Sequence, residues 1–102
     1  MEKKLDNYCT KIAVLMYSRY YIYSFDVDIG IIEFLEDRIS NLFDKMYQEL
    51  ELEKNCSVFR HFFWSRMKLN SEWQKGFEEF GKDFNGTVDY INELLDRPYE
   101  YD

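Results

Sequence analysis

The sequence predicts an all-α protein, a single-domain antiparallel bundle of four or five helices. Three observations carry that expectation. Apolar residues recur at three- and four-residue steps over long stretches, which is the spacing of one helical face. Turn formers are scarce: 102 residues hold four glycines and one proline, and that proline, Pro98, stands almost at the end. A β-sandwich of this length needs many more. The balance of 46% hydrophobic to 32% charged residues is that of a globular chain. There is room for one domain over residues 1–102 and for a core that needs neither disulfides nor metals.

Helix one is expected over residues 5–23. Leu5, Tyr8, Cys9, Ile12, Leu15, Met16, Arg19, Tyr20 and Tyr23 share a face. Val14, Tyr17, Tyr21 and Ile22 lie off it, so this helix is apolar over much of its circumference. It is either central or turned towards a partner as well as the core. Ser24, Asp26 and Asp28 can each cap helix two. That helix is expected over 29–53, with Ile32, Leu35, Ile39, Leu42, Phe43, Met46 and Leu50 as its buried stripe. Glu49, Glu51 and Glu53 stand where the helix dipole disfavours anions, so the last turn should fray.

Helix three follows over 58–69, capped by Ser57. Phe59, Phe62, Phe63 and Met67 form its core face, with Arg60, His61, Trp64 and Lys68 pointing outward. Ser71 is the expected cap of the last helix, over 72–96. Trp73, Phe77, Phe80, Phe84, Val88, Ile91 and Leu95 hold one apolar phase along it. Asn85-Gly86 favours a turn, so this helix should kink or split at 85–86.

Charge is sorted into blocks. Residues 1–25 carry four bases against two acids, and residues 26–55 nine acids against three bases. Residues 56–71 carry three bases and no acid, and residues 72–102 nine acids against three bases. The net charge of −7 argues against free nucleic acid as the main partner, because phosphate binding wants a basic face. No apolar run approaches the roughly 20 residues of a membrane span, and no signal peptide is apparent. A cytoplasmic location without membrane contact is therefore expected. Cys9 and Cys56 are far apart and in no motif, and read as small hydrophobes in a reducing compartment.

No catalytic pattern emerges, and an enzyme is not expected. His61 is the only histidine, and its sequence neighbours are Arg60 and Phe62 rather than carboxylates. The glycines are isolated, no Glu-x-x-His pair exists, and the carboxylates are spread along helix faces rather than clustered for Mg²⁺. Neither a metal nor a cofactor is expected. The segment Arg60 to Lys68 has the composition of a phosphate-contacting or protein-binding surface. Its plainest role is internal: a basic helix laid against acidic helix two or four. Arg60, Arg66 and Lys68 keep a nucleic-acid surface as a weaker alternative.

The leading functional expectation is a small acidic inhibitor that occupies the basic surface of another protein, such as a nuclease or other nucleic-acid enzyme. Immunity proteins, antitoxins and anti-defence proteins share that character. Glu33, Glu36, Asp37 and Asp44 on helix two, and Glu78, Glu79, Asp83, Asp89 and Glu93 on the last helix, are the expected contact carboxylates. The bordering tyrosines Tyr17, Tyr21, Tyr47, Tyr90, Tyr99 and Tyr101 are the expected anchors. The alternative is a self-associating adaptor or structural subunit, a homodimer formed through the over-apolar helix one.

Overall fold

A computed structural model describes residues 2–25, 28–51 and 57–96, apart from the side chains of residues 2, 57, 82, 83 and 85. The expectations placed on Asp26, Glu53, Cys56, Tyr99 and Tyr101, and on the Ser57 and Asp83 side chains, lie outside that description. The described residues form helices and their connections, with no strand among them.

The first helix, α1 (Glu2–Tyr23), packs against all three of the next helices, which makes it the hub of the fold. Leu5, Cys9, Ile12, Ala13 and Met16 are buried along it. It starts earlier than its apolar pattern because Glu2, Lys3 and Lys4 are good helix formers that carry no apolar signal.

The second helix, α2 (Ile29–Glu49), is capped by Asp28, whose carboxylate accepts the Gly30 N–H at 2.9 Å. It ends four residues before position 53. Leu50 closes it through an N–H bond to Met46 O at 3.0 Å, and Glu51 then takes φ 52°. Anions at a helix C-terminus oppose the dipole, which favours this early stop.

The third helix, α3 (Ser57–Leu69), leads into α4 (Ser71–Phe80) through one residue. That residue, Asn70, is the cap that Ser71 was expected to be. Its Oδ1 accepts from the N–H groups of Glu72 and Trp73 at 3.0 and 3.2 Å, and its Nδ2 donates to Thr10 Oγ1 at 2.8 Å. One side chain thus starts α4 and ties the α3–α4 corner to α1.

The predicted break falls earlier than 85–86. Gly81 ends α4 at φ 57°, a 3₁₀ turn spans Gly81–Phe84, and Asn85 and Gly86 begin α5 (Asn85–Asp96). Packing explains the shift. The turn drives Phe84, 0% exposed, onto Gly76, where a Cβ atom would lie 2.6 Å from the ring. Only a residue without Cβ lets the ring approach so closely.

A connected run of aromatic rings passes through the core. Phe43 meets Phe63 at 5.8 Å between ring centroids, Phe63 meets Trp64 at 5.7 Å, Trp64 meets Trp73 at 5.8 Å and Trp73 meets Phe84 at 4.8 Å. Most of these pairs are tilted or edge-on, the favoured geometries, each adding about 0.5–1.5 kcal/mol beyond burial. The Cα envelope measures 37 × 32 × 19 Å. Its short axis is two helix diameters.

Candidate functional site

The carboxylates expected to face a partner divide into those the fold uses and those it leaves to solvent. On α2, Glu33, Asp37 and Asp44 are four and seven residues apart and share a face. Glu33 and Asp37 are exposed, whereas Asp44 is half-buried and engaged within the fold. Glu36 lies one flank over, where Arg19 of α1 reaches it at 3.5 Å. The Arg19 guanidinium also sits 4.2 Å from the Tyr90 ring centroid, so one side chain of α1 links α2 to α5.

Tyr47 departs from its expected place. It is 3% exposed, edge-on to Phe59 at 5.6 Å, and burial pushes its hydroxyl pKa up. Position 47 sits one turn beyond Phe43, on the edge of the stripe, and α3 closes over that edge. Tyr47 is a core residue. Tyr90 is half-buried beneath Arg19.

On α4, neighbouring Glu78 and Glu79 point about 100° apart. The Tyr17 hydroxyl donates to Glu79 Oε2, and that bond lifts the Tyr17 pKa to about 12. Glu78 faces a groove instead. Asp89 and Glu93 lie one turn apart on the exposed face of α5. Both α2 and α4 pack chiefly on α1 rather than on each other.

The basic segment of α3 is largely satisfied from within. Arg60 pairs with Asp96 of α5, and Arg66 pairs with Asp6 of α1 at 3.5 Å. The first contact fits a basic helix against the acidic C-terminal region. The second uses an acid on helix one that charge blocks alone do not single out. Trp64 is not turned outward: its Nε1–H donates to Asn92 Oδ1 at 2.9 Å and its ring packs on Trp73. Lys68 remains exposed. Arg60, Trp64 and Lys68, together with His61, Trp73 and Phe77, line an open groove of about 910 Å³ between α3, α4 and α5. Both tryptophans of the chain stand in it.

Apart from the off-face Tyr21, sequence reasoning missed the exposed large apolar side chains at the α1–α2 junction. Phe25 is 63%, Ile29 70% and Phe34 59% exposed, with Tyr21, Tyr23 and Ile31 also open to solvent. Tyr21 and Phe25 hold their rings 4.8 Å apart. The available signal was that Ile31 and Phe34 lie outside the α2 core stripe. Phe34 stands between Glu33 and Asp37, so apolar and acidic surface adjoin.

Elsewhere the chemistry is quiet. Burial pushes the Cys9 thiol up to about 12, which leaves it protonated and unreactive at neutral pH. The Tyr8 hydroxyl donates to Glu49 and holds that carboxyl below its ordinary value, helped by Lys4. Among the described residues no three His, Cys, Asp or Glu side chains are grouped to hold a metal ion, and no helix is long and apolar enough to cross a membrane. No protein-family model, curated protein or solved structure matches this chain.

Proposed function

We propose that this chain is a binding protein that neutralises a nucleic-acid enzyme by covering its basic surface. The observation that carries the reading is the α1–α2 end of the molecule. There, exposed Tyr21, Tyr23, Phe25, Ile29 and Phe34 adjoin Glu33 and Asp37, two carboxylates that form no ion pair with a described residue. Large apolar anchors beside unused charge are the two components of a tight interface. Asp89 and Glu93 supply a second acidic strip. The five helices are read as an antiparallel bundle, supported by the short connections after α1 and α3. Nucleic-acid binding through Arg60, Arg66 and Lys68 is the weaker reading, since two of those three cations are already paired.

The test is affinity capture from the native host on immobilised protein, eluted with salt, beside an E33K/D37K variant. Stoichiometric capture of one basic nucleic-acid enzyme by the wild type, its loss in the variant, and inhibition of that enzyme in solution support the reading. Equal capture by both proteins, or no inhibition, rejects it. The exposed apolar end also favours a second reading, self-association. Sedimentation that shows a dimer dissociated by F25S/F34S supports that one instead.

A further inference from the structure

The outer face of α2 carries two opposite charges. Arg38 follows Asp37 and Lys45 follows Asp44, so a step of about 100° around the helix separates a basic stripe from the acidic one. The basic stripe borders an open groove of about 580 Å³ between α1 and α2. Lys11 faces it from α1, and exposed Val14 with half-buried Leu15 and Leu42 forms its floor. Among the described residues no carboxylate lines it, although the chain has 20 acids to 13 bases. Glu49 is the acid whose titration feels Lys11, and it is already held by Tyr8 and Lys4. Lys11 stands 5.7 Å from the Tyr8 ring centroid and Arg38 5.7 Å from that of Phe34, contacts that hold the two cations at the groove's border without neutralising their charge.

We propose that this groove seats an acidic amphipathic helix of a partner protein. Arg38 and Lys45 are two turns apart, about 10.5 Å along the axis. Their charges therefore match carboxylates two turns apart on a docked helix rather than a single compact anion. The floor of Val14, Leu15 and Leu42 takes that helix's apolar stripe, the arrangement of helix-in-groove recognition. Nucleic acid fits less well, because among the described residues no aromatic side chain lines the groove to stack a base, and the molecule as a whole is negative. The inference does not depend on the enzyme-inhibitor reading. It gives the molecule a second interface of opposite polarity, able to be filled while the acidic end is engaged.

The probe is a fluorescein-labelled helical peptide of two heptads, with leucine at the core positions and glutamate flanking them, followed by anisotropy with the full chain. Binding is expected for this peptide and not for its lysine-flanked counterpart. The triple reversal K11E/R38E/K45E should weaken it about tenfold or more. The neutral K11Q/R38Q/K45Q triple, checked for unchanged helicity, should give an intermediate loss and serves if the reversed protein fails to fold. Val14→Asp should weaken binding with all three cations in place. An E33K/D37K protein should bind the peptide as tightly as the wild type, which separates this site from the acidic end. Absence of peptide binding overturns the proposal. So does equal binding by the wild type and the glutamine triple, or preference for a single-stranded oligonucleotide over the peptide.

Discussion

Thr87 carries a buried hydroxyl. It is 1% exposed, and its Oγ1 meets no hydrogen-bond partner among the described residues. A buried hydroxyl without a hydrogen bond costs stability, so Thr87→Val, which keeps the shape, is expected to raise the unfolding free energy by about 1 kcal/mol in urea melts. A loss of similar size would mean that the hydroxyl is bonded. Glu49 offers a pH test. Its carboxyl is held below 4.5 chiefly by the Tyr8 hydroxyl. The stabilisation from that contact is therefore present above pH 4.5 and lost as pH falls through the lowered value. Tyr8→Phe should move the Glu49 midpoint, read by carboxyl NMR, up towards 4.5, and an unmoved midpoint assigns the shift to Lys4. Cys9, with its thiol pushed up to about 12, should resist alkylation at pH 8 in the native protein and react once it is unfolded, as read by peptide mapping. Pairings such as Arg19 with Glu36 and Tyr90 join residues far apart in the chain. Periodicity records the face a residue is on, not what lies opposite, so these contacts were not legible from sequence.

At the scale of the helix, the glycines separate local propensity from packing. In a helix interior, Gly→Ala ordinarily stabilises by about 0.5–1 kcal/mol. Gly86→Ala in α5 should do so, because nothing lies within 4 Å of the added carbon. Gly76→Ala should do the opposite and destabilise by about 1–3 kcal/mol, since the new methyl meets the Phe84 ring at 2.6 Å. Thermal melts that rank Gly76→Ala at or above the wild type would mean that Phe84 moves aside at little cost. The same contact explains the α4–α5 break. The apolar phase from Trp73 to Leu95 was readable, and so was an interruption in it. Its place was not, because the local Asn85-Gly86 turn signal lost to a long-range need to seat Phe84 on Gly76. Helix starts were more legible: Asp28 caps α2 as one of three candidates, and the α4 cap missed by a single residue because Asn70 and Ser71 are both good caps.

For the whole molecule, composition and spacing reveal an all-helical chain because scarce turn residues and a 3.6-residue period are properties of the sequence itself. Which charged faces remain open is a property of assembly. Glu36, Glu79 and Asp96 are taken up by Arg19, Tyr17 and Arg60, while Glu33, Asp37, Asp89 and Glu93 are left to the surface. The proposed interface then divides its work by range. Charge acts over about a Debye length and governs encounter, whereas buried apolar anchors act at contact and govern dissociation. With the captured partner in hand, stopped-flow measurements should show E33Q/D37Q lowering the association rate several-fold, with a weaker salt dependence and a nearly unchanged dissociation rate. F25S/F34S should raise the dissociation rate by tenfold or more and leave association close to wild type. Because both phenylalanines are exposed, unfolding free energy should stay within about 0.5 kcal/mol, so lost affinity cannot be laid to lost fold. If both variants act on dissociation alone, the carboxylates contact the partner directly and do not steer it, and the acidic surface elsewhere on the molecule keeps only a solubilising role.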